Sequence, residues 1–125
     1  LLVDDSIVRG HTSKNIVKMV KKCGAKKVFL ASASPPIRHQ NIYGIDMPAT
    51  TELVAHKRSV KEIKRYIKAD ELIYQNLEDL KRSASIGNPK ITEFEDSVFT
   101  GNYRVGNITK DYLMNLENTR SDLTK

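Results

Sequence analysis

The chain contains 125 residues, of which 39% are hydrophobic and 29% are charged, and these values are typical of a single soluble globular domain. Its formal charge of +6 comes from 21 lysines and arginines against 15 acidic residues, but much of the excess lies in residues 14–27 and 57–68, at positions that predict solvated helix faces. Because the sequence contains no aromatic RNA-binding motif, no zinc-ligand spacing and no apolar run near the roughly 20 residues of a membrane helix, we expect no nucleic acid partner and no membrane.

The first predicted elements are a strand and a helix joined by a loop. Residues 1–3 form a short apolar strand that ends at two aspartates, and residues 6–11 form the loop. Thr12 and Ser13 are expected to cap a helix that continues to about residue 23. Because a buried parallel strand needs a neighbour on each side, we expect the sheet to be incomplete at its N-terminal side.

The predicted first helix is amphipathic, with its lysines pointing outward. Its inner face is expected to comprise Ile16, Val17, Met19 and Val20. Met19 is therefore interpreted as a core residue, and Cys23 as a packing residue because no base lies near it in sequence. A single cysteine cannot form an internal disulfide, so we expect a reducing, cytoplasmic location.

Two further strands complete the predicted sheet. The apolar run 28–31 follows the first helix, which predicts a right-handed βαβ crossover in a parallel sheet. Two prolines end this strand, and residues 34–48 are expected to form a loop over one end of the sheet. Residues 72–74 are the third predicted strand, so the fold class is α/β with a parallel sheet and flanking helices.

Three helices and a C-terminal appendage are predicted around this sheet. A short helix is expected at residues 51–56, and a longer one follows Ser59, which forms a capping box with Glu62. Asn76 is expected to cap a helix that continues through Leu80. We divide the chain into a βα core at 1–90 and an appendage at 91–125, whose last helix carries Tyr112, Leu113 and Leu116.

The segment from residue 4 to residue 13 carries the chemistry. Asp4 and Asp5 follow a strand, and in open α/β sheets ligands bind beyond the carboxyl ends of the strands. The start of the next helix attracts an anion, while Gly10 permits close approach of the backbone and Arg9 and Thr12 offer charge and a hydroxyl. Two carboxylates would repel a bare phosphate, so they are better explained by sugar hydroxyls or hydrated magnesium. A ribose 5-phosphate attached to a metal-bound group would suit both the two aspartates and the loop that leads into the helix.

This segment also supports a specific resemblance. Residues 3–10, Val-Asp-Asp-Ser-Ile-Val-Arg-Gly, with Thr12 and Ser13, resemble the signature with which type I phosphoribosyltransferases bind 5-phosphoribosyl 1-pyrophosphate (PRPP), in its amidophosphoribosyltransferase version. The resemblance continues through the segments 24–28, 31–38, 43–48, 52–56 and 99–103. It implies the C-terminal part of a type I phosphoribosyltransferase domain, with the glutaminase domain and the loop that closes over pyrophosphate upstream of residue 1.

The resemblance implies an activity and a set of site residues. The family makes 5-phosphoribosylamine from PRPP and ammonia derived from glutamine, in the first committed step of de novo purine biosynthesis. Asp4 and Asp5 would bind the ribose hydroxyls or Mg²⁺, and residues 8–12 would wrap the 5-phosphate. The expected PRPP-binding residues are Asp4, Asp5, Ser6, Val8, Arg9, Gly10, His11, Thr12 and Ser13. No catalytic nucleophile is expected in this chain, while purine nucleotides are expected as feedback inhibitors and a homo-oligomer as the full-length assembly.

His11 and Leu53 stand at two positions of interest. His11 occupies a position where the family usually has threonine, so a hydroxyl contact is lost, although a protonated imidazole would add a donor. Leu53 and the loop at 43–48 fall where the resemblance implies one wall of an ammonia channel, with ordinary core packing as the alternative for Leu53. His39 and His56 stand apart in the sequence and are interpreted as surface or capping residues.

Cofactor use is also implied by the resemblance. Some members of the family bind an iron-sulfur cluster through cysteines, and Asn41, Glu95 and Val98 occupy the corresponding positions here. We therefore expect Mg²⁺ as the cofactor and no iron-sulfur cluster.

Three functions remain open at this stage. The first is the enzyme, and the second is a regulatory module that senses PRPP without turning it over. Residues 43–48 and 99–103 favour the enzyme, because they extend the resemblance well beyond the shared loop. A base-salvage phosphoribosyltransferase would have a carboxylate at position 8, and Val8 argues against it.

Overall fold

The computed structural model describes residues 1–122 and contains one three-stranded sheet within them. Its strands are β1 (Leu2–Asp4), β2 (Phe29–Ser32) and β3 (Glu71–Tyr74), in that spatial order, and both pairings are parallel. Asp4, Ser32 and Tyr74 lie side by side where the strands end. The predicted parallel α/β sheet is confirmed, and each strand begins within one residue of its predicted start; the handedness of the crossover stays a prediction.

Five α-helices and one 3₁₀ helix accompany the sheet in the described part of the chain. They are α1 (His11–Lys22), the 3₁₀ helix (Thr50–Glu52), α2 (Val60–Ile67), α3 (Leu77–Ser85), α4 (Ser97–Thr100) and α5 (Lys110–Asp122). The predicted capping box is present, since Ser59 Oγ accepts a hydrogen bond from Glu62 N and the Glu62 carboxylate accepts one from Ser59 N. Asn76 caps α3 as predicted. None of the helices within residues 1–122 combines the length and apolar character of a membrane span.

Several helix predictions were wrong in detail. The helix expected at 51–56 is only the 3₁₀ turn Thr50–Glu52, because Leu53 adopts an extended conformation. Helix α3 continues to Ser85, five residues beyond the predicted end, and α4 was not predicted.

The inner face of α1 is narrower than predicted. Ser13 and Val17 are its buried residues, one turn apart, and Met19 is 57% exposed. At 3.6 residues per turn, a position two residues beyond Val17 lies about 200° around the helix, so Met19 points away from the core. Cys23 follows the last turn and is also exposed. The interpretations of Met19 as core and Cys23 as a packing residue were therefore wrong.

The hydrophobic core lies between α2 and one face of the sheet. Its buried members are Ile7, Leu30, Val54, Ala55, Ile63, Ile67 and Leu72. Because side chains alternate along a strand, the opposite face carries Val3, Phe29 and Ile73, all of which are exposed within the described residues.

The C-terminal segment is attached to this core by polar contacts. The carbonyl oxygen of Val98 accepts hydrogen bonds from the backbone N–H groups of Arg38 and His39, at 2.9 and 3.0 Å. Lys81 Nζ lies 2.6 Å from Asp96 Oδ2, and the Asp96 side chain is only 5% exposed. The division at residue 90 stays a prediction, and residues 123–125 of the predicted appendage lie outside the described residues.

We expect the buried ion pair to contribute measurably to stability. The hydrogen bond from Lys81 is the main reason that the pKa of Asp96 lies below its ordinary value, and Thr100 Oγ1 donates a further bond to this carboxylate. Asp96→Asn should lower the free energy of unfolding by about 2 kcal/mol, measured by urea unfolding of the chain. Because the folded pKa is depressed, this stabilisation is present at neutral pH and lost as the pH falls through the folded pKa.

Asp79→Asn is the matched control for this change. Asp79 pairs with Arg82, but both side chains are more than half exposed, so the effect should stay within about 0.5 kcal/mol. An Asp96→Asn variant as stable as Asp79→Asn at neutral pH would contradict the assignment.

Candidate functional site

The predicted site residues surround one cleft at the C-terminal end of β1. This cleft has a volume of about 510 Å³ and lies between the strand end and the start of α1. It is lined by Asp4, Asp5, Ser6, Val8, Arg9, Gly10, His11, Thr12 and Ser13. All nine residues predicted from the sequence are therefore brought together.

The start of α1 supplies the part of the cleft suited to an anion. Gly10 directly precedes the helix and has a φ of 75°, and Lys14 N donates to Gly10 O at 3.0 Å. Within residues 1–122 no side chain caps α1, so the predicted capping by Thr12 and Ser13 was wrong. The backbone N–H groups of the first helical turn therefore remain available to a ligand, and the helix dipole favours negative charge there.

Residues 8–13, which we call the phosphate loop after their predicted ligand, pack directly against other parts of the chain. A Cβ atom added to Gly10 would lie 3.1 Å from Val54 Cγ2 and 3.2 Å from Tyr66 Cε1. Val54 N also donates to Val8 O at 2.8 Å. The Tyr66 ring also contacts the start of α1: its centroid lies 6.3 Å from that of the His11 ring and 4.8 Å from Lys14 Nζ. Glycine at position 10 satisfies both the positive φ and this close packing.

The two aspartates form the acidic side of the cleft. Asp4 Oδ1 accepts a hydrogen bond from Asp5 N at 3.1 Å, and Asp5 Oδ1 accepts from both Ser6 N and Ser6 Oγ. The second oxygen of each carboxylate has no hydrogen-bonding partner within residues 1–122. Mg²⁺ commonly binds through one or two carboxylates together with substrate phosphates and water, so this pair fits such an ion. The described residues contain no group of three or more metal-ligating side chains, so the remaining ligands would come from substrate and water.

Glu52 and Arg9 form an ion pair at the edge of this cleft. Arg9 Nε lies 2.8 Å from Glu52 Oε2. The other carboxylate oxygen of Glu52, Oε1, accepts a hydrogen bond from Ala49 N at 3.3 Å. Sequence reasoning missed Glu52, because 43 residues separate it from Arg9 and no local pattern connects them.

A second cleft, of about 470 Å³, lies beyond the 3₁₀ helix. Its lining includes His39, Thr50, Thr51, His56, Gly101, Tyr103 and Glu117. Burial, followed by the influence of His56 and Arg38, lowers the pKa of His39. Both histidines are partly buried and line this one cleft, so they lie near each other in space although they stand apart in the sequence; their interpretation as surface or capping residues stays a prediction.

Glu117 joins α5 to the 3₁₀ helix at this second cleft. Its carboxylate accepts hydrogen bonds from Thr50 N at 2.7 Å, from Thr51 N at 3.2 Å and from the Gln40 side chain. Burial alone would raise the pKa of Glu117, but these donors outweigh burial and hold it below the ordinary value. No local sequence pattern predicts this contact, which joins residues more than 60 positions apart.

The structure also shows the surroundings of Leu53, predicted to line an ammonia channel, and of Asn41 and Glu95, which occupy the predicted cluster positions. Leu53 is fully buried but is not a member of the core cluster between α2 and the sheet. Asn41 is buried, and its Oδ1 accepts from Tyr43 N at 2.9 Å and from Ile45 N at 3.0 Å. Glu95 accepts from Ser97 N. The channel role of Leu53 and the absence of an iron-sulfur cluster both stay predictions.

The fold and the cleft define a class of protein. A parallel sheet with flanking helices, together with a strand that ends at two aspartates and a loop that leads into a helix, is similar to the arrangement of the type I phosphoribosyltransferases. The solved structures described below share this fold. The fold class implied by the sequence is therefore confirmed.

Comparison with curated proteins identifies relatives over the whole chain. The chain is 53% identical over 125 residues to the amidophosphoribosyltransferase of Pasteurella multocida and 54% identical to that of Escherichia coli, covering 100% of this chain and 25% of each relative. The amidophosphoribosyltransferase of Saccharomyces cerevisiae is 50% identical over 123 residues. The resemblance to the amidophosphoribosyltransferases is confirmed, and the chain spans about a quarter of the length of these relatives. No protein-family model matches the chain.

Solved structures give the same result. The Bacillus subtilis glutamine PRPP amidotransferase complexed with ADP and GMP is 38% identical, with a TM-score of 0.71, and the match covers 86% of this chain and 24% of that one. A structure of the allosteric regulatory enzyme of purine biosynthesis is also 38% identical, with a TM-score of 0.74, over 98% of this chain and 26% of that one.

Proposed function

We propose that this chain is the segment of an amidophosphoribosyltransferase that binds PRPP, within the C-terminal part of its phosphoribosyltransferase domain. The complete enzyme would make 5-phosphoribosylamine from PRPP and ammonia released from glutamine, as the first committed step of de novo purine biosynthesis. One observation carries the proposal: the carboxylates of Asp4 and Asp5 and the uncapped start of α1 face the same cleft.

Each side of the cleft takes a different part of PRPP. The backbone N–H groups at residues 8–12 surround the 5-phosphate, with Thr12 and Ser13 adding hydroxyls. Asp4 and Asp5 orient the ribose through its hydroxyl groups or through the oxygens of a Mg²⁺ hydration shell. When bound, Mg²⁺ neutralises part of the pyrophosphate charge beside these two carboxylates. His11 offers its backbone N–H, and its imidazole adds a donor when protonated.

The other partners follow from the same proposal. Ammonia would reach the ribose past Leu53, and purine nucleotides would act as feedback inhibitors; the B. subtilis relative was solved with ADP and GMP. The complete protein would be a cytoplasmic homo-oligomer that uses Mg²⁺ and no iron-sulfur cluster. A PRPP-sensing regulatory module is the second candidate, but the curated relatives that match residues 1–125 carry the name of the enzyme.

Gly10→Ala in the complete protein tests the proposed phosphate loop. An alanine at a φ of 75° is strained, and its Cβ would lie 3.1 Å from Val54 Cγ2. The loop must therefore shift, and we expect the KM for PRPP to rise about 10-fold or more, corresponding to 1–3 kcal/mol of strain and displacement. The measurement is PRPP-dependent phosphoribosylamine formation with ammonium chloride as the nitrogen donor.

Gly24→Ala is the matched control. Gly24 also has a positive φ, 98°, but an added Cβ would meet no atom within 4 Å. It carries the backbone strain without displacing the phosphate loop, so its KM for PRPP should remain that of the wild type. Equal KM values for the two variants would argue against a phosphate site at residues 8–13.

A further inference from the structure

We infer that Glu52 is a positioning residue of the phosphate loop, which holds the Arg9 guanidinium, and that Arg9 in turn masks the Glu52 carboxylate from a bound phosphate. The inference rests on the proposed PRPP site and deepens it. It assigns anion recognition mainly to the backbone of residues 8–13, and it gives Arg9 a role other than that of a simple phosphate ligand.

The geometry of Arg9 supports this assignment. Arg9 lines the cleft, whereas its partner Glu52 is not among the residues that line it. The Arg9 Nε atom lies 2.8 Å from Glu52 Oε2, and the two side chains are 44% and 31% exposed. The guanidinium is therefore held by a carboxylate that does not itself line the cleft, and while the pair is intact Glu52 acts on a ligand mainly through Arg9.

Glu52 is itself held in place. It is the last residue of the 3₁₀ helix, and its Oε1 accepts a hydrogen bond from Ala49 N at the start of that helix. The next residues, Leu53, Val54 and Ala55, are fully buried or nearly so. Val54 N donates to Val8 O at 2.8 Å. Residues 52 and 54 therefore fix two consecutive residues of the phosphate loop, Val8 and Arg9, to one rigid segment.

The effect of Arg9 on phosphate binding depends on the charge of its partner, Glu52. A paired arginine and glutamate contribute almost no net charge at the distance of a bound phosphate, so Arg9 adds little attraction while Glu52 is present. Removing Arg9 alone leaves the Glu52 carboxylate unpaired beside the phosphate loop, where it repels a phosphate dianion. Removing both charges restores the neutral arrangement. This dependence of one substitution on the other is the signature of a masking pair.

The test measures the KM for PRPP in the complete protein, with ammonium chloride as the nitrogen donor, for four variants. Arg9→Ala should raise the KM about 10-fold, and Glu52→Gln alone should leave it unchanged or lower it. The double variant Arg9→Ala/Glu52→Gln should return to within about 3-fold of the wild type. Arg9→Lys should also remain within about 3-fold, because an ammonium group still neutralises Glu52. The kcat should change little throughout, since the pair does not touch the reacting atoms.

A second readout separates this inference from the proposed function. Titration of the same variants with ribose 5-phosphate measures binding to the loop without turnover, and the same order of affinities is expected. A double variant as weak as Arg9→Ala in both assays would show that Arg9 binds phosphate directly and would overturn the inference. A wild-type protein that binds ribose 5-phosphate but makes no phosphoribosylamine would instead refute the proposed enzyme, while leaving the rescue experiment valid.

Discussion

Replacing Asp4 and Asp5 together with asparagine in the complete protein should weaken Mg²⁺-dependent PRPP binding by about 100-fold or more, the largest effect that we expect from a change in the cleft. Asparagine keeps the size and the hydrogen bonds to Asp5 N and Ser6 N but removes both negative charges. Without these charges, the ribose hydroxyls lose charge-assisted acceptors and a hydrated Mg²⁺ loses its anchors. Titration calorimetry with PRPP, performed with and without Mg²⁺, measures the change.

Glu78→Gln/Asp79→Asn provides a matched control. These two adjacent carboxylates lie in the first turn of α3, are exposed and do not line the PRPP cleft. Both double variants change the net charge of the protein equally, so a difference between them reports on position and not on total charge. If PRPP affinity and its Mg²⁺ dependence survived Asp4→Asn/Asp5→Asn, the assignment of the acidic half of the cleft would be wrong.

The cleft could be predicted almost completely from the sequence because it is local. Its nine lining residues fall between positions 4 and 13, and one strand end followed by one helix start determines their arrangement. Asp4 and Gly10 are only six positions apart, so the chain between them limits their separation to about 20 Å. The strands could also be located to within one residue, since each is a short apolar run followed by a turn or loop.

The supports of the cleft could not be predicted in this way. Glu52, Val54 and Tyr66 contact the phosphate loop from positions more than 40 residues away in the sequence, and nothing in their local patterns distinguishes them from ordinary surface or core residues. Glu117 reaches the 3₁₀ helix across a still longer separation. Such contacts depend on how whole helices and strands pack together, and local patterns in the sequence do not reveal that packing.

Burial on α1 shows a second limit of sequence reasoning. Because Met19 is hydrophobic, we predicted that it would lie on the inner face of α1. In the structure, the buried residues of this helix are Ser13 and Val17, which form a narrow stripe. Ser13 is buried on this stripe, whereas Met19, on another side of the helix, is exposed. Position around the helix here outweighs the polarity of the side chain.

The isolated chain of residues 1–125 should show neither glutamine hydrolysis nor phosphoribosylamine synthesis. Hydrolysis requires an activated nucleophile with an oriented base, and the single thiol, Cys23, is exposed at the end of α1. The histidines are engaged elsewhere, with His11 beside Tyr66 and His39 beside His56 in the second cleft. No histidine hydrogen-bonds to this thiol in the described part of the chain, so the first half-reaction lacks its machinery.

We expect that synthesis from free ammonia also needs groups that residues 1–125 do not supply. The cleft offers backbone donors for the 5-phosphate and two carboxylates for ribose or Mg²⁺, but it presents no second cluster of donors for the departing pyrophosphate. When ammonia attacks C1 of the ribose, the C1–O bond breaks and negative charge develops on the departing pyrophosphate, so the reaction depends on donors that stabilise this charge. The relatives are about four times as long as this chain. We therefore expect the isolated chain to bind ribose 5-phosphate weakly at residues 9–13 without turnover. Pyrophosphate release from PRPP, with Mg²⁺ and high ammonia, measures this directly beside the complete protein; release within about 10-fold of the complete protein would mean that the whole synthetic site lies within these residues.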